Sequence, residues 1–284
     1  MRPDLHQANR LSWNEATRAH NSHKGDQAAF FRAGGSTLYP EELALLGDVA
    51  GRSLVHLQCN SGQDSVSLAR LGAQVTGVDI SDEAISFATR LSADSGVPAR
   101  FERADLYDWF ETARAGGRRF ERAFTSYGTI CWLSDIGAWA RGIAGVLEPG
   151  GRFAMVEFHP FAMVFDPHWT PRHDYFAEGP IPEPEGVGDY VADSGKTLAL
   201  DAYHPGVEEF RNPNPAFEFY WGVGQVVSAL VGAGLTIERL EEYPYANGWA
   251  GFAGMRDLGG GRLAPPEHMP RIPLMYGLSA VRYG

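Results

Sequence analysis

The chain has 284 residues, 44% of them hydrophobic, enough for one large α/β domain or a core domain carrying a substantial insertion. Its formal charge of -11, with Lys24 and Lys196 the only lysines and Arg118-Arg119 reading as a solvated loop, gives no positive field for nucleic acid or an anionic membrane. Cys59 and Cys131 are far apart without metal-ligand spacing, the N-terminus lacks the apolar stretch of a signal peptide and no run is long enough to span a bilayer, so the expectation is a cytoplasmic protein.

Residues 1–50 read as an N-terminal helical flap. Within them Leu11 to Arg32 is partly helical and carries Trp13, His20, His23, Phe30 and Phe31 ahead of the Gly34-Gly35 break. Packing onto a sheet and closure over a bound cofactor are both open for it. From Gly51 onward, short apolar runs alternate with helical patterns, the signature of βαβ units on a parallel sheet. The first strand is Ser53 to Leu57, followed by the turn Gln58 to Asp64 and a short helix from Ser65 to Leu71. The second strand, Gln74 to Asp79, leads into a helix capped by Ser81 or Asp82 and ending near Gly96. Ala99 to Ala104 gives a third strand and Phe120 to Ser126 a fourth, and a helix from Ile136 to Leu147 closes on Glu148-Pro149-Gly150-Gly151.

The fifth strand is Arg152 to Phe158, and from His159 to about residue 220 the regular pattern breaks. That stretch is rich in Pro, His, Asp, Gly and aromatics, and reads as a lid insertion containing a small antiparallel element. The alternation resumes with a helix from Val223 to Ala233, a strand from Leu235 to Glu241 and a last strand from Leu274 to Arg282.

A turn after the first strand, leading into a helix and followed about 20 residues later by an acid at the end of the second strand, is how α/β folds bind nucleosides. Here the turn supplies Gln58, Cys59, Asn60, Ser61 and Gly62, and the acid is Asp79, with Ile80 beside it. Asp105 ends the third strand, where it can accept from an adenine amino group, with Leu106 next to it; Asp105 also suits an N-cap. With Pro149-Gly150-Gly151 before the fifth strand, the chain resembles the class I S-adenosylmethionine-dependent methyltransferases, well over residues 51–158 and in outline beyond.

The resemblance implies a Rossmann-like, seven-stranded, mostly parallel sheet with helices on both faces and an antiparallel last strand. It also implies S-adenosylmethionine as cofactor. The family's first motif, acid-x-Gly-x-Gly-x-Gly, is rewritten here: His56 stands for the acid, Gln58 and Asn60 for two glycines, and only Gly62 is kept. Asn tolerates left-handed backbone angles, so Asn60 preserves the turn. The carbonyl of Gln58 or Tyr127 is a candidate to hold the methionine amino group.

Methyl transfer rests on in-line alignment and exclusion of water, with a base where the acceptor is a hydroxyl. Candidate catalytic groups lie past the fourth and fifth strands: His159 first, as base or orienting group or else a structural histidine, then Tyr127 and Glu157. His20, His23, Trp132, Phe158, Phe165, Trp169 and Tyr175 are candidate substrate contacts, suiting a flat or amine-bearing small molecule. His168 and His173 lack a carboxylate cluster at ligand spacing, so no metal is expected. The expected reaction methylates an O, N or C atom of a small metabolite, and a homodimer stays open. The alternatives are a non-methylating protein of the same fold, such as a cyclase or sensor, and an NAD-dependent oxidoreductase.

Overall fold

Helix α1 (Pro3–Ser22) begins earlier than the aromatic pattern suggests, because Pro3 sits in the first turn, where its missing N–H is no loss, and Asp4 faces the positive end of the helix dipole. A computed structural model describes residues 1–199 and 203–283; residues 200–202, inside the expected lid, and residue 284 lie outside the described residues. Two short helices follow, α2 (Gln27–Arg32), capped by Asp26, and α3 (Pro40–Leu46), a helix the sequence reading passed over although Pro40-Glu41-Glu42 signals its start.

Then come β1 (Ser53–Leu57), α4 (Gln63–Arg70), β2 (Gln74–Asp79), α5 (Asp82–Ser95) and β3 (Arg100–Arg103). Ser81 caps α5, its hydroxyl accepting from the Ala84 N–H at 3.1 Å. Next are α6 (Leu106–Ala115), β4 (Phe120–Ser126), α7 (Ile136–Val146) and β5 (Leu147–Phe158). The expected Pro149-Gly150-Gly151 turn is an irregularity inside β5: the β4–β5 register shifts there, and Gly150 has φ +78°.

The rest of the chain gives β6 (Ile181–Glu183), α8 (Tyr190–Ser194), β7 (Ala216–Glu218), α9 (Val223–Gly232), β8 (Thr236–Tyr243), β9 (Ala246–Asn247), β10 (Arg256–Gly259), β11 (Arg262–Ala264) and β12 (Met275–Val281). β6 and β7 form an antiparallel pair after the fifth strand. β9, β10 and β11 form a small sheet with no counterpart in the sequence reading.

The main sheet has seven strands in the order β3-β2-β1-β4-β5-β12-β8. β12 runs antiparallel to both its neighbours, and the pairs from β3 to β5 are parallel. Alternating side chains divide the core. Val55, Leu57, Val78, Ala123, Phe153 and Met155 meet α6, α7 and α9 on one face, whereas Leu54, Val75, Phe124, Ala154 and Val156 meet Leu45, Leu46 and Leu68 on the other. The order reverses at β1, between β2 and β4, so the crevice beyond the carboxyl ends of these strands is where an α/β sheet receives a ligand. α1 lies across that crevice, bonded through Asn9 to Phe217 in β7 and through Asn14 and Arg18 to the start of α5. Among the described residues, no helix is long and apolar enough to cross a membrane.

Candidate active site

A cavity of about 810 Å³ opens along these strand ends, toward the upper part of the usual range for ligand pockets. Its floor is the turn after β1. Asn60 has φ +47°, the left-handed angle expected of it, and Gln58 has φ +54°. The Asn60 N–H donates to Asp79 Oδ2 at 2.8 Å and the Ser81 N–H to Asp79 Oδ1 at 2.8 Å, so the turn and the end of β2 are locked together with the carboxylate half-buried at the cavity wall. Gln58, Cys59, Asn60, Asp79, Ile80, Asp105 and Leu106 all line the cavity.

Ser61 and Gly62 do not, contrary to expectation. Ser61 Oγ turns to α1, accepting from Asn21 Nδ2 at 2.8 Å. Gly62 is required by packing, since a Cβ there would lie 2.6 Å from that of Ala88 at φ +78°. Burial pushes the Cys59 thiol well above its ordinary pKa, which removes it as a nucleophile.

Asp105 is both cap and anchor. Its Oδ1 accepts from the Tyr107 N–H at 2.9 Å, starting α6, and its Oδ2 meets His6 Nδ1 at 2.7 Å. His6, on α1, lines the cavity and went unnoticed in the sequence because its partner lies 99 residues away. His56 contacts Ser65 Oγ at 2.8 Å, and burial drives its imidazole down to about 3, so it is neutral and replaces the motif's acid in position only. An acid is nevertheless present: Asp64, in the first turn of α4, lines the cavity and accepts from Thr37 Oγ1 at 2.6 Å and Ser126 Oγ at 3.3 Å.

Three expected catalytic groups are each held by contacts within the fold. Glu157 accepts from the backbone N–H groups of Gly128, Thr129, Ile130 and Phe158 and from the Thr129 hydroxyl, which uses both its oxygens to shape the loop after β4. Burial raises its carboxyl pKa, yet a protonated form would set an O–H among five donors, so the loop holds the ionised form. Tyr127, at φ +30°, lines the cavity, and its Oη accepts from Asn247 Nδ2 at 2.9 Å; burial raises its pKa far above that of a free phenol, keeping the hydroxyl protonated. His159 is absent from the cavity wall. Its Nε2 meets Glu242 Oε1 on β8 at 2.9 Å, its Nδ1 accepts from the Phe161 N–H at 3.1 Å, and its ring lies edge-on to Tyr276.

Of the expected substrate contacts, His20, Trp132, Phe158 and Tyr175 line the cavity. His23 does not, because its Nε2 bonds Asp189 at 2.8 Å and its Nδ1 accepts from the Gly206 N–H at 3.0 Å. Phe165 and Trp169 are also off the wall: Trp169 stacks on Phe252 at 4.2 Å, donates to the Ala253 carbonyl and packs edge-on to Phe165.

The chamber between α1 and the insertion is aromatic, walled by Trp13, Trp132, Tyr175, Tyr190, Tyr220 and Trp221. His20 Nε2 donates to the Gly188 carbonyl at 2.9 Å, and burial lowers its pKa to about 4, so the ring is neutral. Glu218, the last residue of β7, also lines the cavity, and burial first and Glu183 second raise its carboxyl pKa to about 7. A single acid on a three-residue strand gave no sequence signal.

Residues 55–151 match the family model of the Methyltransferase domain. A ubiquinone biosynthesis O-methyltransferase of Methylobacterium sp. (strain 4-46) is 32% identical over 126 residues, 44% of this chain and 46% of that protein. An S-adenosyl-L-methionine-dependent Diels-Alderase of Talaromyces variabilis is 32% identical over 108 residues, 38% of this chain and 37% of that one. The chain thus spans less than half the length of the curated relatives it matches. An S-adenosylmethionine dependent methyltransferase structure from Mesorhizobium loti superposes with a TM-score of 0.58 at 22% identity, covering 88% of this chain and all of that one, which shows the shared fold. Residues 55–151 thus match a methyltransferase domain, and the sheet, with β12 antiparallel between β5 and β8, has the fold of that S-adenosylmethionine dependent methyltransferase structure.

Proposed function

We propose that the chain transfers a methyl group from S-adenosylmethionine to a small aromatic or amine-bearing molecule held between α1 and the insertion. The observation that carries this reading is that one cavity joins the strand-end acids Asp79 and Asp105 to an aromatic chamber containing Glu218. The cofactor fits the residues present: the half-buried carboxylate of Asp79 stands at the cavity wall for ribose hydroxyls, and a second acid, Asp64, stands near the rewritten motif for a cationic amino group. When bound, S-adenosylmethionine supplies a methyl group on a positively charged sulfur. Asn60, Asp79, Ile80 and Leu106 hold the nucleoside and Asp64 the ammonium. α1 acts as the flap and the segment from His159 to about 220 as the lid, excluding water from the transfer.

Glu218 is the acceptor-side group in this account. A carboxyl that titrates near neutrality accepts a proton from a hydroxyl acceptor or pairs with an arriving ammonium, and the aromatic walls take a flat ring. The test incubates the protein with S-adenosylmethionine and a panel of phenols and amines, following release of S-adenosylhomocysteine and the methylated product by mass spectrometry. Glu218→Gln is expected to lower kcat and remove the rate limb near pH 7 while leaving S-adenosylhomocysteine affinity intact; unchanged turnover would exclude this role. The resemblance to a Diels-Alderase favours a second reading, in which the bound cofactor is structural and the chamber folds a reactive substrate. Substrate conversion without release of S-adenosylhomocysteine would mark that case.

A further inference from the structure

We infer that His6, presented by α1 and oriented by Asp105, reads the exocyclic amino group of the cofactor's adenine. This rests on the cofactor reading above and adds a recognition residue from outside the sheet. Both oxygens of Asp105 are already engaged, Oδ1 by the Tyr107 N–H at 2.9 Å and Oδ2 by His6 Nδ1 at 2.7 Å. An imidazole that donates from Nδ1 to a carboxylate and carries no second proton keeps a lone pair on Nε2, and that Nε2 is buried without a partner among the described residues. The His6 residue is 5% exposed and forms part of the cavity wall.

A buried polar atom with no partner is uncommon in a folded chain, and one at a ligand cavity points to the ligand as its partner. The ring is held firmly enough for that use. It stacks on Tyr107 with centroids 5.4 Å apart and planes 14° from parallel. α1 is fixed independently of it: Asn9 exchanges two hydrogen bonds with Phe217 at 2.9 and 2.7 Å, Asn14 accepts from Ser81 Oγ at 2.7 Å, and Arg18 pairs with Glu83 at 2.8 Å. An acceptor in that setting selects a purine that carries an N–H donor at its 6-position. A site built to bond a donor discriminates against the analogue lacking it, because the acceptor is then stranded. Seating the adenine thereby also completes the docking of α1, which ties the cofactor to the helix that roofs the acceptor chamber.

The test is calorimetric titration of the full chain with S-adenosylhomocysteine and with its 6-deamino purine analogue, repeated on His6→Ala and His6→Phe. The phenyl ring keeps the stack on Tyr107 and removes the acceptor. The wild type is expected to prefer the amino compound by about tenfold, the equivalent of one buried hydrogen bond, and both variants to lose the preference by weakening on that compound alone. A preference that persists in His6→Phe, or a variant that weakens on both ligands equally, overturns the inference. Equal affinity of the wild type for the two ligands overturns it while leaving the cofactor reading in place. Failure of the wild type to bind either one overturns the cofactor reading itself.

Discussion

Glu157→Gln separates an anchoring carboxylate from a catalytic one. Oε1 of Glu157 accepts from the N–H groups of Gly128 and Phe158, and Oε2 from the N–H groups of Thr129 and Ile130 and the Thr129 hydroxyl. Whichever oxygen the amide nitrogen replaces, at least two N–H donors then face another donor in a residue that is 3% exposed. Each stranded donor costs roughly 1–3 kcal/mol, so the expected destabilisation is roughly 2–6 kcal/mol. In a chain of this size that lowers the melting temperature by roughly 10 °C. Circular dichroism melts at pH 7 measure it, with the variant's S-adenosylhomocysteine affinity taken well below its melting point to show whether the loop still forms. A melting temperature within ~2 °C of wild type, together with a collapse of turnover, would refute the anchoring role and return Glu157 to the chemistry.

Other expectations follow from the same geometry. His159→Ala leaves S-adenosylhomocysteine affinity and kcat close to wild type and weakens stability by roughly 1–3 kcal/mol, because the Phe161 N–H loses its acceptor and the buried ring leaves a gap beside Tyr276, while the pair with the exposed Glu242 adds little; a large drop in kcat alone would place His159 back at the site. Stability also depends on pH through His56 and His20, whose pKa values burial lowers to about 3 and about 4. Both are neutral in the fold, so their contribution is complete above the unfolded value near 6.5 and is lost as pH falls from there toward 4, where the unfolded chain binds more protons. The stability difference between wild type and His20→Asn in urea is therefore expected to shrink from pH 7 to pH 5, a comparison that cancels the opposite contribution of Glu218, whose carboxyl, raised to about 7, adds stability as pH falls; a difference that does not shrink would contradict a neutral buried His20 imidazole.

What could be read in the sequence is what local chemistry dictates. The runs Ser53–Leu57 and Arg152–Phe158 are apolar on both faces, as strands buried under helices on both sides must be, and both are strands of the main sheet. Ser81 announced its helix by capping it, and Asp79 and Asp105 lie at strand ends beside the cavity because the end of a strand is itself a local property. Side-chain direction past a strand end is not local. The position of His159 after β5 was legible, but its ring turns toward Glu242 on β8, a contact fixed only when the last strands assemble. His6 and Glu218 lay hidden for the same reason: one reaches the site from α1 to meet Asp105, and the other stands on a strand of three residues paired with β6. Asp64 carries no signal of its own, since nothing in the spacing says that the acid missing at position 56 returns in the first turn of α4.

The most direct measurement is isothermal titration of the folded wild type and of Asp79→Ala with S-adenosylhomocysteine. The account expects saturable one-to-one binding by the wild type. In Asp79→Ala it expects a loss of about tenfold or more, since a half-buried carboxylate's charge-assisted hydrogen bonds to the ribose disappear. No heat of binding in the wild type, or equal affinity in the two proteins, would contradict it.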